Sequence, residues 1–133
     1  MLLSVHLIST SIMVGAIWVI QLVHYPSFYY VSKEKYVKFQ NFHMNRISFI
    51  VIPAMMAELL SGFMILYLGL KNDSMFIISI GCLILIWLST AILFTGIHQK
   101  LTNGYNSSLI DQLVNRNWLR TFLWTSRLIL LVV

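Results

Sequence analysis

The chain opens MLLSVHLISTSIMVGAIWVIQLVHYPSF (residues 1–28), and no Asp, Glu, Lys or Arg occurs before Lys33. The stretch from Leu2 to about Phe28 is long enough for a helix to cross the roughly 30 Å hydrocarbon core of a bilayer. A helix suits that solvent because each backbone N–H and C=O is bonded within its own segment. Pro26 is expected near the end of this helix, because the residue before a proline disfavours the helical conformation.

The remaining sequence repeats the pattern. A second span is predicted from about Arg46 to Leu70, with Glu58 as the only charge inside it and a kink at Pro53. Lys71-Asn72-Asp73-Ser74 reads as a tight polar turn, and a third span follows from about Met75 to His98. Gln99 to Asn117 is polar, with a turn at Asn103-Gly104 and a possible cap for a short helix at Asn106-Ser107-Ser108. The fourth span, about Trp118 to Val133, is short against a need of about 20 residues. Lys33-Glu34-Lys35-Tyr36-Val37-Lys38-Phe39 reads as a charged, aromatic loop lying in the membrane interface. The expected fold is all-α: one domain over residues 1–133, an integral membrane antiparallel four-helix bundle with helices near 2–28, 46–70, 75–98 and 118–133.

Composition agrees. Of 133 residues, 59% are hydrophobic and 10% charged, and mean hydropathy is +0.82. A soluble domain carries about 45–50% apolar and about 25% charged residues, so a soluble globular protein and a disordered chain are both excluded. The net charge of +5 comes from loop residues, which read as topology signals and lipid contacts rather than a nucleic-acid surface. Cys82, the single cysteine, lies in an apolar run and reads as a small apolar residue, in lipid or in the bundle. No basic n-region or small-residue cleavage site marks a cleavable leader. Lys33, Lys35, Lys38, Arg46, Lys100, Arg116 and Arg120 fall on one side and Lys71 on the other, so both termini are expected outside the cell's inner membrane.

Polar residues inside the spans are the functional candidates. His6 and His24 are 18 residues apart, five turns, and share one stripe of the first helix with Ser9, Thr10, Met13, Ile17 and Gln21. His24, His43 and His98 fall at same-side ends of three helices, with Asn117 and Arg120 opening the fourth. Converging imidazoles there could bind a transition metal or a haem iron; an interfacial belt of His, Tyr, Trp and Arg is the commoner arrangement. Glu58 and Arg127 come out at similar depths, near mid-membrane, and are expected to pair, with Ser89 and Thr90 completing a polar pocket. Ala54, Ala57, Ser61 and Gly62 form a small-residue packing face. The chain has no Gly-rich phosphate loop, HExxH or nucleophile elbow.

The run Trp18-Val19-Ile20-Gln21-Leu22-Val23-His24-Tyr25-Pro26-Ser27-Phe28, with Trp87-Leu88-Ser89-Thr90, His98-Gln99-Lys100-Leu101 and Asn117-Trp118-Leu119-Arg120-Thr121, resembles a group of small uncharacterised bacterial four-helix membrane proteins. More remotely it is similar to the anthrone-oxygenase-like family, which shows a His-Pro pair near the end of its first helix and an Asn-x-x-Arg-Thr-like start to its last. The counterparts here are His24 with Pro26, separated by Tyr25, and Asn117 with Arg120 and Thr121. A looser similarity, through His6, Gly15, Trp18, Tyr25 and Pro26, is to the membrane-embedded, haem-carrying protoporphyrinogen oxidase. These resemblances imply a four-helix membrane bundle.

Three functions are compatible with the reading. The first is an oxidoreductase or oxygenase acting on a hydrophobic aromatic, quinone or porphyrin-type ligand. His24, His43 and Glu58 would be the catalytic groups, and His6, His98, Arg120 and Arg127 would hold a ligand or cofactor. The second is a small-molecule carrier or efflux component, which at four helices would need a homo-oligomer. The third is a non-catalytic subunit of a larger membrane complex, its ion pair setting helix registration.

Overall fold

The computed structural model describes residues 1–133; it is built from helices and contains no strand. Four long helical segments follow one another: α1 (Leu2–Tyr30), α2 (Lys33–Tyr67), α3 (Ser74–Leu101) and α4 (Ser107–Val132). The first three are long and apolar enough to cross a membrane.

Local signals set the boundaries. Asp73 accepts a hydrogen bond from the Phe76 N–H and starts α3; Asn106 accepts from the Leu109 N–H and starts α4. At the end of α2 the chain turns through Gly69 at φ +64°, and the Leu70 and Gly69 N–H groups bond back to the Ile65 and Leu66 carbonyls. This six-to-one closure needs the left-handed conformation that glycine adopts without a Cβ penalty.

Two helices begin earlier than the sequence predicted. α2 starts at Lys33 rather than Arg46, so the expected interfacial loop is its first turns. The charges there, Lys33, Glu34, Lys35 and Lys38, are exposed, whereas Tyr36, Gln40 and His43 form a buried stripe at helical spacing. α4 starts at Ser107 rather than Trp118. Asn106 therefore caps the fourth helix itself rather than a separate short one. α2 continues through Pro53, the position where a kink was expected, and the ring removes the donor to the Phe49 carbonyl.

α1 packs chiefly on α2 and α4, and α3 chiefly on α4. Of 34 buried residues, 14 are polar or charged, while large apolar side chains such as Ile8, Phe49, Leu60 and Ile92 are more than half exposed. That inverts the distribution expected in water. The apolar interior forms three layers: Phe28, Tyr36, Phe94 and Leu113 at the end holding the α1–α2 turn; Met13, Ile17, Ile86 and Trp124 in the middle; and Ile65, Phe76, Ile80 and Leu83 at the end holding the chain termini. The polar interior groups are sorted by these layers into two clusters.

Candidate functional site

The cluster near the termini is closed. Arg127 and Glu58 form an ion pair at 2.6 Å, and both side chains have zero exposure. The remaining bonds of the pair are filled. Arg127 Nε donates to the Ser79 carbonyl at 3.1 Å, Arg127 Nη2 to His6 Nε2 at 3.2 Å, and Trp124 Nε1 to Glu58 Oε2 at 3.1 Å. With Nε2 accepting from Arg127, His6 carries its proton on Nδ1 and donates it to Ser61 Oγ at 2.9 Å; Ser61 in turn donates to the Ala57 carbonyl. Small residues make room: a Cβ on Gly62 would stand 2.9 Å from His6 Cε1 and 2.8 Å from Ile80 Cδ1. His6 is four residues, about 6 Å, from the start of α1, Arg127 five residues, about 8 Å, from the end of α4, and Glu58 nine residues, about 14 Å, from the end of α2. Ile65, Phe76, Ile80 and Leu83, with Leu2 and Leu131 packed against them, close the bundle on the side of the chain termini.

The second cluster is open. Thr90, Phe94, Thr95 and His98 of α3, His43, Ile47, Ser48 and Ile52 of α2, Met13, Ile17, Ile20 and Tyr25 of α1, and Arg120 and Trp124 of α4 enclose a cavity of about 390 Å³. α1 and α4 supply a buried floor, while Ser48, Ile52, Thr95 and Gln99 form a half-buried to exposed rim. The mouth thus lies between α2 and α3.

The polar end of this cavity is wired together. Asn117 Nδ2 donates to Gln21 Oε1 at 2.8 Å, and Asn117 Oδ1 accepts from Arg120 Nε and Nη2 at 3.0 and 2.6 Å. Arg120 Nη2 also donates to the Tyr25 hydroxyl at 3.2 Å, and the guanidinium lies over the Phe94 ring at 3.6 Å. Gln40 Nε2 is hydrogen-bonded to His98 Nδ1 at 3.1 Å, and His98 Nε2 is hydrogen-bonded to the Tyr25 hydroxyl at 3.1 Å. His43 Nδ1 is hydrogen-bonded to His24 Nε2, with ring centroids 4.5 Å apart, and the His43 and His98 rings are 5.4 Å apart. A smaller groove of about 170 Å³, lined by His24, Phe39, Phe42, His43, Arg46, Ile47 and Ile50, shares His43 and Ile47 with the cavity and adds His24.

The seven candidates thus divide. His24, His43, His98 and Arg120 gather at the open cluster, and His6, Glu58 and Arg127 at the closed one. Thr90, expected near Glu58, stands instead 3.5 Å from Arg120 Nη1, and Ser89 bonds back to the Ile86 carbonyl. Tyr25 and Gln40 were not singled out from the sequence as site residues. Gln40 was findable, being three residues before His43 and four after Tyr36 on the buried stripe.

No three His, Cys, Asp or Glu side chains are arranged to hold a metal ion. The nearest approach is the trio His24, His43 and His98, in which the first two direct ring nitrogens at each other rather than at a shared centre. Comparison of the chain with known protein families, curated proteins and solved structures finds no match.

Proposed function

We propose that the protein is an integral membrane antiparallel four-helix bundle that binds a flat hydrophobic aromatic or quinone-type molecule in the cavity between α2 and α3. One observation carries this reading: an apolar cavity whose polar end converges on Tyr25, His43, His98 and Arg120. Ligand sites have that make-up, mostly apolar walls with a few placed polar groups, in volumes of roughly 300–1,000 Å³. At about 390 Å³ the cavity suits a one- or two-ring head with a tail leaving through the mouth.

The membrane assignment is supported by the three long apolar helices and by the exposed apolar and buried polar residues. The order of contacts supports the antiparallel arrangement. Residue 6 meets 61 and 127, residue 24 meets 43, and residue 21 meets 117. Lys33, Lys35, Lys38, Arg46, Lys100 and Arg116 are exposed, against Lys71 at the other end. That asymmetry favours termini outside, even with Arg120 withdrawn from the count into the interior. A cysteine at position 72 should react with an impermeant reagent on intact cells and one at 35 should not; the reverse pattern overturns the orientation.

His43 is the cavity's proton acceptor in this reading. It lines the wall, and its Nδ1 is backed by His24, so a proton taken at Nε2 is matched by one released from Nδ1 toward His24 and the second groove. This supplies the acid–base half of an oxidoreductase- or oxygenase-type reaction. Glu58, Arg127 and His6 line neither the cavity nor the smaller groove, and Trp124 stands between Glu58 and the cavity, which disfavours a permeation path through the pair. The test is titration of the detergent-purified protein with a short-chain 1,4-naphthoquinone, read by quenching of tryptophan emission. Saturable quenching is expected, and Ser48→Phe, which fills the mouth, should abolish it. Quenching that never saturates, or that ignores the substitution, overturns the reading.

A further inference from the structure

We infer that the ligand of this cavity carries an anionic oxygen on its flat apolar body, as an ionised hydroxyquinone or acidic phenol does, and that Arg120 is its counter-ion. The inference rests on the ligand-binding reading above and narrows it.

The chain contains four acidic side chains, and none is near Arg120. Glu58 is paired with Arg127. Asp73 caps α3 and lies 3.9 Å from Lys71. Asp111 accepts from the Tyr29 hydroxyl, and Glu34 is exposed in the first turn of α2. Arg120 is 7% exposed, and its partners are the amide of Asn117, the hydroxyls of Tyr25 and Thr90, and the Phe94 ring. All are neutral. An arginine does not lose its proton to escape burial, so its charge needs a partner that this chain does not supply.

The cavity is where that partner fits. Arg120 lines it, and Nη1 has only the 3.5 Å contact to Thr90. The Tyr25 hydroxyl lines the same wall. A cationic donor beside a hydroxyl at the end of an apolar slot favours an oxygen anion over a neutral carbonyl, because hydrogen bonds between charged groups are the stronger ones.

The experiment compares a 2-hydroxy-3-alkyl-1,4-naphthoquinone with its 2-methoxy ether on the unaltered protein in detergent at neutral pH. The hydroxy compound should bind at least tenfold more tightly. Its visible absorbance should show the bound molecule ionising at lower pH than in empty micelles. Arg120→Gln should erase both effects, and Arg120→Lys, which keeps the charge, should retain part of the ionisation shift. Equal binding of the two compounds to the unaltered protein, without an ionisation shift, overturns the inference and leaves the ligand-binding reading standing. Binding of neither compound overturns both.

Discussion

Arg120 and Arg127 lie seven residues apart on α4, about 10 Å along its axis, and both are buried. Arg127 is neutralised by Glu58 and has a partner for each nitrogen in Ser79, His6 and Glu58. Arg120 meets only neutral groups and faces a cavity. The same residue type on the same helix therefore does opposite things. One is a closed joint fixing α1, α2, α3 and α4 to one another. The other is a charge among neutral groups at the wall of an open cavity. A buried arginine alone says little; the charges around it say which kind it is.

The largest expected effect tests the closed joint. Glu58→Gln leaves Arg127 without its counter-charge in a dry interior and should destabilise the protein by about 3–5 kcal/mol, read by unfolding in detergent. Adding Arg127→Met should recover much of that loss. A Glu58→Gln protein as stable as the parent would mean that the pair contributes nothing and that the two clusters do not differ as described.

Gly62→Ala probes the same joint by volume. The new methyl would meet the His6 ring, which cannot move without breaking its bonds to Ser61 and Arg127. A loss of about 1–3 kcal/mol is expected, the usual cost of overpacking a core. If the loss is absent, α1 and α2 part more easily at this level than the close approach implies.

The smallest effect belongs to the open cluster. Arg120→Met removes hydrogen bonds to Asn117 and Tyr25, each worth about 0.5–1.5 kcal/mol, but it also removes an uncompensated buried charge. Stability should stay within about 1 kcal/mol of the parent, whereas Arg127→Met should cost several because it strands Glu58. Equal, large losses for both arginines would erase the distinction.

Much of this was legible beforehand. Charge-free runs located four helices, and intramembrane cost pointed from Glu58 to Arg127. The stripe of His6, Ser9, Thr10, Met13, Ile17 and Gln21 is buried as the 3.6 period requires. What hydropathy concealed was the extent of α2 and α4, because their first turns are amphipathic and rich in charge. Periodicity also concealed which residue ends the α1 stripe. Counting five turns from His6 led to His24, yet Tyr25 is the more deeply buried, at 3% exposure, and faces the cavity. Between them α1 takes a wider turn over Ile20–His24, closed by a bond from the Tyr25 N–H to the Ile20 carbonyl. A sequence period assumes one turn width throughout, so it cannot register the change.

α3 has the same feature over Thr90–Phe94, closed by the Thr95 N–H on the Thr90 carbonyl. Tyr25 follows the first wide turn directly and His98 follows the second by four residues, and the two side chains are hydrogen-bonded to each other. Each residue of an α-helix advances the chain by about 100°. Moving a wide turn along its helix until it passed one of these side chains would swing Tyr25 or His98 around the axis by about that angle. Their mutual bond meshes the two helices like toothed wheels: neither can slip a notch alone without unseating the other. The direction in which the cavity's polar end faces is therefore a joint setting of α1 and α3, and deleting a single residue inside either wide turn would put the pair out of step.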